Sequence, residues 1–266
     1  MALPDGKLIT DHVFHWEKTA TNRRYFNQPT GGGQVKTYTW GEAMDEARRI
    51  ATYINSLDLP PKSHIALVSK NTAWWIICDL AIWISGHVSV PVYPTSTRDT
   101  VQYVLEHSDS KLCFFGKLDD PEEIKAGIPE GMTCVAMPLS EKNDYKHWDE
   151  LIKEHEPLEG DTERDPEELA TIVYTSGSTG RPKGTMISFK AISVACDTLV
   201  DTLSMTERDR MLSYLPLSHV FERWLVETCS FRCGLEIFFA ESLDTFVNDL
   251  QRARPTLFVS VPRLWL

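Results

Sequence analysis

The stretch Tyr174-Thr-Ser-Gly-Ser-Thr-Gly-Arg-Pro-Lys-Gly184 limits the fold more than any other part of this 266-residue chain. The apolar run Ala170-Thr-Ile-Val-Tyr-Thr175 in front of it reads as a buried strand. Three glycines, Gly177, Gly180 and Gly184, permit positive φ and let main-chain N–H groups approach an anion without a Cβ in the way. Thr175, Ser176, Ser178 and Thr179 add hydroxyl donors, and Lys183 adds a positive charge on a flexible stem. The segment reads as a phosphate-binding loop, which points to a nucleotide. A Ser/Gly-rich linker has a similar composition, but linkers rarely continue a buried strand so tightly.

The loop excludes its commonest rival. A Walker loop needs G-x-x-x-x-G-K followed by Ser or Thr, with a helix opening directly behind the lysine. Here Arg181 and Pro182 separate Gly180 from Lys183, and the proline biases Arg181 away from the helical region. The chain should therefore leave the loop as an extended segment.

The rest of the chain alternates helix and strand. Gly41 to Leu57 carries Ala43, Ala47, Ile50, Ala51 and Ile54 at helical spacing, and His64 to Ser69 is a strand after the Pro60-Pro61 turn. Ala73 to Ser85 is an apolar helix. At ~1.5 Å per residue it reaches about 20 Å against roughly 30 Å of hydrocarbon, and it carries Asp79, so it reads as a core helix and not a membrane span. A strand at Val88 to Tyr93, a helix at Thr97 to His107 and a strand at Lys111 to Phe115 follow. Beyond the loop, Ser188 caps a helix whose apolar face is Phe189, Ile192, Cys196, Leu199, Val200 and Leu203. Strands are expected at Arg210 to Leu215, Leu235 to Phe239 and Thr256 to Ser260, with helices at Trp224 to Cys233 and Leu243 to Ala253. This order predicts an α/β fold of mostly parallel sheets with helices on both faces. It divides into a first α/β region over 1–153, an acidic solvated connection over 154–168, and a third region over 169–266 that carries the phosphate loop.

The net charge of -11 and a pI near 5.2 argue against a nucleic-acid partner, which calls for a basic face. The six cysteines, at 78, 113, 134, 196, 229 and 233, form no C-x-x-C pair and have no histidine spacing suited to zinc, so they read as reduced core thiols. Met1 to Thr10 lacks the apolar run of a signal peptide, which sets a cytosolic expectation.

The loop resembles the signature of the acyl-adenylate-forming superfamily, which holds acyl-CoA synthetases, luciferases and the adenylation domains of peptide synthetases. A second segment, Leu212-Ser-Tyr-Leu-Pro-Leu-Ser-His-Val-Phe-Glu-Arg-Trp224, is similar to the Y-L-P-L-A/S-H-V-F-E-R run of long-chain fatty acyl-CoA synthetases. The likeness extends upstream through Thr39-Trp-Gly-Glu-Ala43, Lys70-Asn71 and Val90-Pro-Val-Tyr-Pro-Thr95, so it covers essentially the whole chain. Thr185 and Phe189 depart from the usual residues at their positions.

The resemblance implies the large N-terminal domain of such enzymes and a two-step reaction. A fatty carboxylate attacks the α-phosphorus of ATP to give acyl-AMP and pyrophosphate, and the thiol of coenzyme A then displaces AMP. Thr175, Ser176, Gly177, Ser178, Thr179, Gly180, Lys183 and Gly184 would hold the nucleotide together with Mg²⁺, and no protein ligand to the metal is assigned. Lys183 and His219 are the candidate catalytic residues. His219 follows a strand end, where open α/β sheets place their ligands, although an ordinary hydrogen-bonded histidine fits that position too. Phe221 and Trp224 are either core aromatics or walls of an acyl pocket shared with His219, and Glu222-Arg223 could be a structural ion pair.

The family's later Y-G-x-T-E segment, its ribose-binding aspartate and its small C-terminal domain have no counterpart among these residues. The expectation is that the chain is roughly the first half of an enzyme, inactive by itself, with an exposed apolar face. Peripheral membrane contact is compatible with a fatty-acid enzyme, but no amphipathic basic helix supports it. A fatty acyl-AMP ligase, a peptide-synthetase adenylation domain and a non-catalytic nucleotide- or acyl-binding module are the alternative readings.

Overall fold

A computed structural model describes residues 6–175 and 181–261. Ser176, Gly177, Ser178, Thr179 and Gly180, which carry most of the expected phosphate contacts, lie outside the described residues.

Helix α1 (Ile9–Thr19) leads into a hairpin of β1 (Arg24–Gly31) and β2 (Gln34–Thr39). Gly31, Gly32 and Gly33 all adopt positive φ at its turn, a conformation that a side chain would strain. Helix α2 (Trp40–Ser56) then starts at a capping box, with Glu42 N–H donating to Thr39 Oγ1 and Thr39 N–H donating to Glu42 Oε2. There follow β3 (His64–Val68), α3 (Ala73–Ile84), β4 (Val88–Val92), α4 (Arg98–His107), β5 (Ser110–Phe115), α5 (Pro121–Ala126), β6 (Thr133–Ala136), β7 (Lys146–His147), α6 (Trp148–Glu154) and β8 (Leu169–Thr175). After the phosphate loop come β9 (Lys183–Ser188), α7 (Phe189–Leu203), β10 (Arg210–Ser213), α8 (Val220–Glu222), a π-helical turn (Arg223–Thr228), α9 (Cys229–Cys233), β11 (Glu236–Phe239) and α10 (Phe246–Ala253).

Seven strands form one sheet in the order β7-β6-β5-β3-β4-β8-β9, parallel throughout except for the β8–β9 pair. Both faces are covered. Ile65 and Leu67 of β3 turn toward the large core that includes α3, while Ala66 and Val68 turn toward a second core that includes Val101, Val104 and Leu105 of α4. This period-2 split explains why β3 reads as a continuous apolar run. Every residue of α3 is buried, so the expectation of a core helix holds. No helix among the described residues is long and apolar enough to cross a membrane.

A second sheet, β10-β11-β1-β2, joins the two ends of the described chain, with β1 antiparallel to β2 and parallel to β11. Sequence reading found β10 and β11 but neither α1 nor the β1–β2 hairpin, nor the pairing of β1 with β11 more than two hundred residues away. The small sheet is tied to α3 by the buried Gln28, whose Oε1 accepts from Ala73 N–H at 2.7 Å.

Two expectations need correction. Thr256 to Ser260 is not a strand; the N–H groups of Thr256 and Leu257 both reach the single carbonyl of Arg210, and no ladder develops. The connection over 155–168 is not simply solvated. The Arg48 guanidinium holds it through Leu158 O and Asp161, and Arg164 is buried, donating to Trp83 O and pairing with Glu168 at 2.8 Å. All six cysteines are buried free thiols, as expected. Leu243, Met186 and Val247 are large apolar side chains left exposed.

Candidate functional site

Strands β4 and β8 are parallel neighbours, so their C-terminal ends open on the same edge of the large sheet. Thr175 ends β8, and the extended exit foreseen from Pro182 is β9, whose first residue, Lys183, pairs across the hairpin with Thr175. Both residues are exposed. Gly184 lies opposite Tyr174. It does not use the positive φ that a glycine permits. What it provides is space, since a Cβ there would stand 2.8 Å from Ile172 Cγ2 and 3.2 Å from Tyr174 Cζ.

A cleft of about 430 Å³ lies at this edge, lined by Tyr93, Thr95 and Ser96 after β4, Thr100 of α4, Tyr174 and Thr175 of β8, Pro182 and His219. His219 arrives from the small sheet, on the turn that follows β10, and is exposed. Its Nδ1 accepts from the Phe221 N–H at 3.2 Å, and its ring meets Tyr93 edge-on at 6.5 Å. Accepting at Nδ1 places the neutral ring's proton on Nε2. Burial pushes the Tyr93 and Tyr174 phenols above their ordinary range, so both remain neutral hydrogen-bonding groups. Tyr174 Oη is also 2.8 Å from His107 Nδ1, which fixes its ring beside the loop.

A second crevice, about 160 Å³, opens between the C-terminal ends of the two sheets and shares Thr95 with the first. Lys70, Asn71, Lys117, Ser213 and Tyr214 line it. Burial and the neighbouring Lys70 charge lower the Lys117 pKa, and its Nζ donates to Glu241 O at 2.6 Å.

The structure thus brings Thr175, Pro182 and His219 to one cleft. Neither Phe221 nor Trp224 lines it. Phe221 is exposed, and Trp224 is half-buried against the main core. Sequence reading quoted the Val90 to Thr95 and Lys70-Asn71 runs but gave no chemistry to Tyr93, Thr95, Lys70 or Asn71. Their position just after β4 and β3 is the signal that could have marked them.

Glu222 and Arg223 do not pair with each other. Glu222 is buried and accepts at Oε1 from Ser213 Oγ and Tyr214 N–H, both at 3.0 Å. Burial pushes its carboxyl up to about 8, although these hydrogen bonds and one from Leu215 N–H pull the other way. Arg223 binds Asp79, Glu227 at 3.0 Å, Thr171 Oγ1 at 2.6 Å and Ser89 Oγ at 2.8 Å, all buried. Burial lowers its pKa, but the Asp79 and Glu227 charges outweigh that and raise it. Burial and the Asp79 charge in turn raise Glu227 well above the usual carboxyl range. Among the described residues no group of three His, Cys, Asp or Glu side chains is placed to hold a metal ion.

The fold matches solved structures of known ligases. The anthranilate CoA ligase AuaEII, in complex with anthranoyl-AMP, superposes with a TM-score of 0.85 at 16% identity, over 95% of this chain and 49% of that one. A benzoate CoA ligase from Burkholderia xenovorans gives 0.82 at 22% identity, over 97% and 51%. In sequence, fatty acyl-CoA synthetase B of Dictyostelium discoideum is 29% identical over 88% of this chain, and long-chain-fatty-acid–CoA ligase 5 of Rattus norvegicus is 30% identical over 90%. The chain spans 37% of the length of each of these two relatives. Residues 14–266 match the family described as AMP-binding enzyme, and the chain belongs to that family.

Proposed function

We propose that this chain is the nucleotide- and acyl-binding part of a long-chain fatty acid–CoA ligase. The observation that carries the reading is the convergence of Thr175, Pro182 and His219 on one cleft, because it joins the end of the phosphate-loop strand to the Leu215-Pro-Leu-Ser-His219 turn. The named relatives, a fatty acyl-CoA synthetase and a long-chain fatty acid ligase, support it.

In this reading a carboxylate oxygen of the fatty acid bonds to the α-phosphorus of ATP and the bond to pyrophosphate breaks. The sulfur of coenzyme A then bonds to the acyl carbon and AMP leaves. Such transfers are catalysed mainly by positioning and by neutralising developing charge. Lys183, exposed at the start of β9, neutralises charge on the departing pyrophosphate. His219 offers an Nε2–H donor on the acyl and adenylate side. Lys70 and Lys117, on the rim of the second crevice, suit the anionic portion of coenzyme A. Mg²⁺ would accompany the nucleotide and supply charge neutralisation on its phosphates.

Fatty-acid-dependent exchange of labelled pyrophosphate into ATP tests the reading. Exchange by this chain that is lost in Lys183→Ala establishes adenylation. Absence of exchange, together with no binding of ATP or acyl-AMP by calorimetry, overturns it. Binding without exchange fits both a part of a ligase and a non-catalytic binding module, and fatty-acid-dependent exchange by a longer form of the protein separates the two.

A further inference from the structure

The turn from Ser213 to His219 is held by two side chains that the proposed reaction does not use. Asn71, in the loop between β3 and α3, crosses the crevice between the sheets and makes three hydrogen bonds to it. Its Nδ2 donates to Ser213 Oγ at 2.8 Å and to Leu215 O at 2.6 Å, and its Oδ1 accepts from Leu217 N–H at 3.0 Å. Glu222, the last residue of α8, reaches back to the same place and accepts from Ser213 Oγ and Tyr214 N–H. Ser213 Oγ therefore links the two: it accepts from Asn71 and donates to Glu222. His219 lies between these anchors as the N-cap of α8, the first turn of a helical run that continues through the π-helical turn to Cys233. Its ring is exposed, so packing does not fix its orientation. Its Nδ1 accepts from Phe221 N–H, a hydrogen bond that exists only while α8 keeps its shape.

We infer that Asn71 and Glu222 are positioning residues for His219: together they hold the 213–222 segment so that the imidazole meets the cleft in a single tautomer, with its proton on Nε2. This rests on reading His219 as a substrate-facing group. It adds that the fixed tautomer is imposed from outside the cleft, partly by the other sheet. Asn71 sits directly before Thr72, the N-cap of α3. A shift of the large sheet's α3 end against β10 is therefore transmitted to His219 through three hydrogen bonds. An asparagine suits that place because it supplies two donors and an acceptor without charge, whereas an aspartate of the same shape supplies acceptors only.

The test is nitrogen NMR of the chain labelled with ¹⁵N-histidine, at a pH where the ring is neutral, with the His219 signals identified from their loss in His219→Gln. In the unsubstituted chain the two ring nitrogens should resonate far apart, one hydrogen-bearing and one bare. In Asn71→Asp and in Glu222→Ala the two signals should move toward the average of a free imidazole, while near-ultraviolet circular dichroism stays native. Glu222→Gln retains a carbonyl acceptor for Ser213 and Tyr214 and should keep the signals apart. Ser213→Ala, which removes the shared link at little structural cost, serves where a larger change prevents folding. Unmoved signals in folded Asn71→Asp and Glu222→Ala overturn the inference. So does equal loss in Glu222→Gln and Glu222→Ala, which would mean that charge and not hydrogen bonding holds the turn. Addition of AMP separates this result from the functional reading. If the His219 signals ignore AMP, the substrate-facing role fails, whereas the positioning inference is decided by the spectra of the free chain.

Discussion

His219 and Arg223 lie about one helical turn apart in sequence, yet their surroundings are opposite. His219 is exposed at a cleft, its ring accepting from the Phe221 N–H. Arg223 is buried and binds four partners drawn from α3, β4, β8 and its own π-helical turn. The contrast shows that the His-Val-Phe-Glu-Arg run is two devices in one stretch. Its first residue opens on the cleft, and its last fastens the segment to the large sheet. Thr171, one of the fastening points, belongs to the strand that ends at Thr175. The π-helical register from Arg223 to Thr228 fits this division, since such turns cluster where a helix is re-aimed for function.

The sharpest way to break the comparison is Arg223→Ala. It strands Asp79 and Glu227 as buried carboxyls without their cation, and removing one partner of a buried pair costs roughly 3–5 kcal/mol. Urea unfolding should show that loss, and Asp79→Asn added to Arg223→Met should recover much of it. His219→Ala, by contrast, removes the N-cap hydrogen bond from Phe221 N–H and should cost about 0.5–2 kcal/mol.

Glu222, between the two, gives a pH signature. Its folded-state pKa of about 8 stands above its ordinary 4.5, so folding takes up a proton between those values. Its contribution to stability is fully present below about pH 4.5 and is lost as the pH rises through 8. Unfolding free energies measured from pH 5 to 9 should decline through this window, and Glu222→Gln should flatten that part of the curve.

A smaller effect is expected at Gly184. The Cβ of Gly184→Ala meets Ile172 Cγ2 and forces a buried side chain to move, at a cost of about 1–3 kcal/mol in thermal unfolding. Lys183→Ala, one residue earlier and exposed, should change stability least. In an active form of the protein it should slow pyrophosphate exchange by on the order of 10²-fold. If Lys183→Ala proved as destabilising as Arg223→Ala, the separation of anchor from chemistry would be wrong.

The parts legible in the sequence were those whose signals are local. Strand β3 and helix α3 announced themselves by apolar runs, and α7 by Ser188, whose Oγ accepts from Ala191 N–H. Pro182 announced β9. What escaped was non-local. Arg223 looked like the partner of Glu222 beside it, but it pairs with Glu227 and with Asp79, the latter 144 residues away and brought close by packing that no periodicity encodes. Asn71 was visible only as part of a familiar run. Its three hydrogen bonds depend on two sheets meeting at their C-terminal ends. Among the expected nucleotide contacts, Thr175, Lys183 and Gly184 fall on described strands, whereas Ser176 to Gly180 do not.

The small sheet also sets a timetable for the ribosome. β1 and β2 emerge early, but β11 follows roughly 200 residues later, a wait of about 10–40 s at ordinary rates of synthesis. During that interval the β1 edge that β11 will occupy stays unpaired, and Tyr25 and Phe26 lack the later-made residues that help bury them. The nascent chain therefore carries an open strand edge until residue 239 has cleared the exit tunnel.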